Sequence, residues 1–138
     1  MSYRNTCVSK YTLNIEQARV FHMVAAHNED SRGEQLRLYV AGPAGTGKSR
    51  VLESLKDYFR GRNEEYMISV VAPTGAAAAL VNGSTYHSLL GFSGRSTSNI
   101  SESTAAQIRS RLQGIKYLFF DKVSMVSCTQ LYNISCRL

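Results

Sequence analysis

Hydrophobic positions along the chain change their period several times, and each change marks an element. Residues 1–11 are polar with scattered Tyr and Lys, which reads as an entry arm with no helical stripe. From Asn14 to Ala26 the residues Ile15, Ala18, Phe21, Val24 and Ala25 recur at helical spacing, and Asn14 with Gln17 forms a capping-box pattern at its start. A charged turn, Asn28 to Glu34, contains Gly33 and leads to a short run, Leu36 to Ala41, apolar but for Arg37 and expected to be the first strand. An amphipathic helix from Lys48 to about Arg60 follows, with Val51, Leu52, Leu55, Tyr58 and Phe59 on one stripe.

Ile68 to Ala72 is apolar except for Ser69 and has two adjacent valines, the pattern of a strand covered on both faces. Pro73-Thr74-Gly75 breaks it, and Ala76 to Val81 is expected to form a short helix stopped near Asn82-Gly83. Residues 93–104, rich in Ser and Thr, show no hydrophobic period and are expected to form a loop. A helix from about Thr104 to Gln113 would bury Ile108 and Leu112, with Gly114 as its C-cap. Tyr117 to Phe120 reads as a third buried strand ending at Asp121. A second capping box, Ser127 with Gln130, opens a helix with Leu131, Ile134 and Leu138 inward. Strands alternating with helices, each strand buried, imply a parallel α/β sheet.

At 138 residues the chain has the size of one domain, and 43% hydrophobic with 19% charged residues is an ordinary globular composition. The formal charge of +6 favours a polyanionic partner, and eleven of the sixteen basic residues are Arg, the side chain suited to two-pronged phosphate contacts. A solvated basic surface would give the same total. Cys7, Cys128 and Cys136 are odd in number and lack metal-ligand spacing, so they read as reduced thiols. The Asn-x-Ser sequons at Asn82, Asn99 and Asn133 read as incidental, since the first residues do not resemble a secretory signal. No stretch is long and apolar enough to cross a membrane, and the expectation is a soluble intracellular protein.

The run GPAGTGKS, Gly42 to Ser49, lies between the first apolar run and the Lys48 helix. In that strand–loop–helix setting, Gly-x-x-x-x-Gly-Lys-Ser binds nucleoside triphosphates. Gly42, Pro43, Ala44, Gly45, Thr46 and Gly47 supply a backbone whose N–H groups can turn toward phosphates; Lys48 can reach the β- and γ-phosphates, and Ser49 can hold Mg²⁺. A dinucleotide fingerprint is excluded because Arg50 stands where the third glycine is needed. Asp121, at the end of YLFFD, is placed to serve Mg²⁺ with Ser49; the plainer alternative is that it caps the following turn.

The segment APTGAAAALVNGSTYHSLLGF, Ala72 to Phe92, together with LNIEQ at 13–17, GPAGTGKS, and DKVSM at 121–125, resembles the petite-integration-frequency (PIF) family of superfamily 1B DNA helicases. Relatives encoded by rolling-circle transposons look especially similar. The resemblance implies a phosphate-loop NTPase (RecA-like) three-layer α/β fold with a parallel sheet, ATP and Mg²⁺ as cofactors, and single-stranded DNA as partner. It implies that Gln17 reads the adenine edge, beside its capping role. It implies that Thr74, Gly75, Thr85, His87 and Ser88 line the DNA path; for His87 the alternative is a histidine packed against the sheet. Arg109, Arg111 and Lys116 form a basic cluster that a solvated helix face explains equally well.

Two departures stand out. Where the family has a glutamate after the Mg²⁺ aspartate, this chain has Lys122, and a protonated ammonium donates hydrogen bonds but accepts none. The hydrolytic step is therefore expected to be lost or slowed. The family's later motifs also lie beyond Leu138, as does the strand that normally inserts between the Mg²⁺ strand and the phosphate-loop strand. The expectation is an arm at 1–12 and a truncated motor domain at 13–138, part of an ATP-dependent 5′ to 3′ helicase of DNA repair, recombination or telomere maintenance. The resemblance places such a protein in the nucleus, with the mitochondrion as alternative. The competing expectation is a nucleotide- or single-stranded-DNA-binding remnant without hydrolysis. A small-molecule phosphotransferase would leave the 72–92 segment unexplained.

Overall fold

A computed structural model describes residues 2–30, 32–92 and 100–138, so positions 93–99 of the expected Ser/Thr-rich loop lie outside the described residues. The chain divides into two compact units, Met1–Glu65 and Tyr66–Leu138.

In the first unit the polar arm is a helix, α1, Tyr3–Lys10. Its stripe is invisible in the sequence because Cys7 is its one buried residue. Polar ties hold it instead: Lys10 pairs with Asp57 at 2.6 Å, and the Tyr3 hydroxyl donates to the Asp57 carbonyl at 3.3 Å. The next helix, α2, Ile15–Glu29, carries the expected capping box: Asn14 Oδ1 accepts from the Gln17 N–H at 2.9 Å, and Gln17 Oε1 accepts from the Asn14 N–H at 3.0 Å. Phe21, Val24 and Ala25 are buried, but Ile15 is 87% exposed, and the helix runs three residues past Ala26. A third helix, α3, Lys48–Gly61, buries Val51, Leu55, Tyr58 and Phe59 as its stripe requires. Phe21 meets Tyr58 edge-on at 5.6 Å, which joins α2 to α3.

The apolar run Leu36 to Ala41 is not a strand. Leu38, Tyr39 and Val40 are exposed. Apolarity marks a segment able to pair, but a strand exists only where a neighbour takes its backbone hydrogen bonds, and no described residue does so here.

The end of α2 is fixed by a charge network. Glu29 receives Arg4 in a two-pronged ion pair, accepts from the Tyr58 hydroxyl at 2.7 Å, and has Arg62 at 3.8 Å. These donors, Arg4 first, hold its carboxyl at about 2 against the usual 4.5, while burial pushes the Tyr58 hydroxyl up to about 12. A folded-state value below the unfolded one means that the stabilisation is complete above the unfolded value and is lost as pH falls toward about 2. Because Glu29 is more than a third exposed, its contribution is on the order of 1 kcal/mol. Glu29→Gln is expected to lower the melting temperature at pH 7 and to lower it much less at pH 2.5, where most of the stabilisation is already gone. An equal loss at both values would remove the charge from the explanation.

In the second unit three parallel strands form one sheet in the order β2-β1-β3: β1, Ile68–Ala72; β2, Ser84–Thr85; β3, Tyr117–Phe120. The register sets Ala72 beside Thr85 and Val71 beside Phe120. The central strand is buried over Val70, Val71 and Ala72, as read, but β3 is half-buried throughout, because on one side no described strand flanks it. Between β1 and β2 runs α4, Gly75–Leu80. The stop at Gly83 is steric: a Cβ there would lie 2.4 Å from the Val70 carbonyl oxygen. A five-residue helix, α5, Tyr86–Leu90, follows β2 directly and was not separated from its surroundings by any hydrophobic period.

Two more helices complete this unit: α6, Glu102–Leu112, begins two residues earlier than its stripe suggests because Ser101 accepts from the Thr104 N–H as N-cap. Its C-cap is Gln113, and Gly114 follows in the left-handed region. The last helix, α7, Cys128–Arg137, has the capping box at Ser127 and Gln130, but of its expected inward residues only Ile134 is buried; Leu131 and Leu138 are exposed. The core of this unit joins Val71, Tyr86, Leu90, Ile108 and Ile134. The parallel α/β class expected from the alternation is the class of this structure.

Candidate nucleotide and nucleic-acid site

In the first unit, the segment 42–47 turns into the N-terminus of α3 through two left-handed glycines, Gly45 and Gly47, both at φ +80. The first bonds of the helix run from the Arg50 and Val51 N–H groups to the Gly47 carbonyl, so the N–H groups of Lys48 and Ser49 lie ahead of them, and a helix of 14 residues adds its positive end there. The ammonium of Lys48 bends back over the loop: it donates to the Gly42 carbonyl at 2.6 Å, the Pro43 carbonyl at 2.7 Å and the Thr46 hydroxyl at 3.3 Å. Thr46 in turn donates to the Pro43 carbonyl at 2.8 Å. All these acceptors are neutral, so an anion entering the loop would offer the ammonium a stronger partner. Pro43, Ala44 and Ser49 are exposed at the same surface.

Gln17 is bound on both sides. While its Oε1 caps α2, its Nε2 donates to the Thr46 carbonyl at 3.0 Å, tying the start of α2 to the loop. Gly47 suits this place because its φ of +80 is one that side chains rarely adopt, and a Cβ there would push the Gln17 amide aside, 2.3 Å from Nε2. One lone pair on Oε1 and one hydrogen on Nε2 remain for another partner.

In the second unit, parallel strands bring their carboxyl ends to one edge, where open α/β sheets place ligands. Thr74 follows β1 and caps α4, its hydroxyl oxygen accepting from the Ala77 N–H at 3.2 Å; Gly75 opens that helix with free space around it. Thr85 ends β2 and caps α5, accepting from the Ser88 N–H at 3.2 Å. Each hydroxyl still has its hydrogen to donate. His87 and Ser88 are exposed on α5, whose other side buries Tyr86 and Leu90. The His87 ring stacks on Tyr86, centroids 3.9 Å apart, and meets the Phe92 edge at 6.4 Å. His87 is thus a solvent-facing ring backed by an aromatic, not a histidine packed in the sheet.

Asp121 follows β3 and its N–H donates to the Val71 carbonyl at 2.9 Å. Lys122, not Asp121, holds the N-cap position of the next turn, at φ 54, and its side chain is exposed. Ser49 belongs to the first unit and Asp121 to the second. Both are hard oxygen donors of the kind Mg²⁺ accepts alongside phosphate and water. Among the described residues no three His, Cys, Asp or Glu side chains cluster as a metal site.

The sequence model of the PIF1-like helicases matches residues 12–134, nearly the whole chain. The chain belongs to the PIF1-like helicase family. It is similar to the uncharacterized protein 030L of Invertebrate iridescent virus 6, with 30% identity over 85% of this chain and 22% of that protein. It is also similar to the ATP-dependent DNA helicase RRM3 of Saccharomyces cerevisiae, 27% identical over 91% of this chain and 17% of that helicase. The ATP-dependent DNA helicase PIF4 of Trypanosoma brucei brucei is 33% identical over 68% of this chain and 12% of its own length. The chain therefore spans about a fifth of the curated relatives it matches, or less.

Within this PIF1-like unit, two site features had no sequence signal. Arg111, read as part of a surface cluster, donates to the Ser88 carbonyl at 2.6 Å. Arg137 donates to the Leu90 carbonyl at 2.7 Å from 47 positions away, and its guanidinium lies 3.8 Å above the Phe92 ring. Spacing rules reach three or four residues along a helix, so neither contact could be read from the chain. Among the described residues no helix is long and apolar enough to cross a membrane.

Proposed function

We propose that this chain is the nucleotide-binding and DNA-contacting front part of an ATP-dependent DNA helicase motor. The observation that carries the reading is the Gly45–Gly47 turn, with Lys48 folded over it at the head of α3, in a chain matched to the family over residues 12–134. Gly42 to Ser49 would cradle the triphosphate of ATP, with Lys48 on the β- and γ-phosphates and Gln17 offering its remaining donor and acceptor to adenine. Ser49 would offer its hydroxyl and Asp121 its carboxylate to Mg²⁺, as the family resemblance implies, and the cation when bound neutralises phosphate charge. Thr74, Gly75, Thr85 and Ser88 would grip the phosphates of single-stranded DNA, and His87, backed by Tyr86, would stack on a base. Unwinding from 5′ to 3′, a role in repair, recombination or telomere maintenance, and a nuclear or mitochondrial address belong to the same reading.

A second reading is favoured by Lys122. With an exposed ammonium where the family carries a carboxylate, the unit would bind ATP and DNA without activating water. The two readings share the DNA contact, and one titration tests it. Labelled oligothymidylate is expected to bind the chain, with His87→Ala weakening it by about tenfold, the loss of one stacked base. Equal binding by the variant would remove α5 from the DNA path.

A further inference from the structure

The helix α5 has only five residues, too few to fix its own direction, yet it carries His87 and Ser88. Helix ends leave carbonyls without backbone partners. At this end Gly91 and Phe92 both donate to the His87 carbonyl, which leaves the Ser88 and Leu90 carbonyls for other groups. Each is taken by a guanidinium from a different helix: Arg111 of α6 on Ser88 at 2.6 Å, and Arg137 of α7 on Leu90 at 2.7 Å. Arg137 is additionally seated on Phe92, whose edge faces His87. The buried side of α5 is anchored by Tyr86 and Leu90 in the core with Ile108 and Ile134, which lie on the same two helices that supply the arginines. Hydrogen bonds from a charged donor are stronger than neutral ones, and two from separate helices fix a direction as well as a position.

We propose that Arg111 and Arg137 are positioning residues that clamp the C-terminal carbonyls of α5 and so set the angle at which His87 and Ser88 meet a single strand of nucleic acid. The inference rests on the DNA contact proposed above. Both guanidinium groups act through backbone carbonyls and need not touch the nucleic acid themselves. Nucleotide binding, assigned to the first unit, does not depend on them.

The test compares the full chain with Arg111→Gln, Arg137→Gln and the pair, using labelled oligothymidylate over a range of salt, hydrogen exchange of the amides in 85–92, and a double-mutant cycle with His87→Ala. The double variant is expected to bind oligothymidylate roughly tenfold more weakly. The slope of log affinity against log salt should stay at its original value, amides 85–92 should exchange faster, and His87→Ala should cost little more in that background. Mere loss of folding would lower nucleotide binding in parallel and speed exchange of the amides throughout the chain, not only in 85–92, and that result would overturn the clamp. A salt slope reduced by about 0.7 per arginine would overturn the clamp and make these residues phosphate contacts. Unchanged affinity in the double variant, alongside a weakened His87→Ala, would overturn it too. Failure of the unmodified, folded chain to bind at all would instead overturn the DNA reading beneath it.

Discussion

Lys122→Glu is expected to raise ATP turnover by this chain by about 100-fold or more, the lower end of what a positioned general base contributes. Lys122 follows Asp121 at the carboxyl end of β3, where the family pattern has a glutamate, and its side chain is exposed. Water attacking a γ-phosphate must be oriented and must surrender a proton. A carboxylate can accept that proton, whereas an ammonium presents only hydrogens. The backbone at this position is left-handed, φ 54, which lysine and glutamate tolerate equally poorly, so the exchange should leave the fold and the melting temperature nearly unchanged. Phosphate release under saturating Mg·ATP, compared between the two proteins, is the measurement. Turnover by the unmodified chain as fast as by Lys122→Glu would show that Lys122 is no obstacle.

Lys48→Ala is expected to weaken ATP binding by about 100-fold, as loss of a charge-assisted phosphate contact does. The Lys48 ammonium now bonds to two loop carbonyls and the Thr46 hydroxyl, and these bonds draw the loop around the place where the charge sits. Alanine removes both the charge and the three bonds. Because the loop is largely exposed, the change should scarcely alter thermal stability. Arg50→Ala, two residues on and exposed at the start of α3, is a suitable control and should bind as the unmodified chain does. Equal affinities for the Lys48 variant and the control would mean that the nucleotide binds somewhere other than 42–49.

What could be read from the sequence was whatever is decided locally. The capping boxes at Asn14 and Ser127 are closed between residues three apart, so the chain itself specifies them. The central strand was legible because the adjacent Val70 and Val71 sit in a run whose one polar residue is Ser69, and the phosphate loop because its chemistry needs a contiguous string. Elements held by distant partners were not legible. Helix α1 is kept by Lys10 and Tyr3 on Asp57, which no period announces. Leu36 to Ala41 had the composition of a strand but no described neighbour to pair with. Arg137 looks like one more surface charge until the fold places it on the Leu90 carbonyl. Thr74 and Thr85 could be picked out by resemblance, but their capping bonds emerge only from the folded backbone.

The central claim is that residues 42–49 form a working phosphate loop in this PIF1-like unit, and equilibrium binding of a fluorescent ATP analogue to the purified chain tests it most directly. With Mg²⁺ present, the expected result is saturable binding of one nucleotide per chain, displaced by ATP and weakened about 100-fold when Lys48 is replaced by alanine. No saturable binding by folded, monomeric protein would contradict the claim.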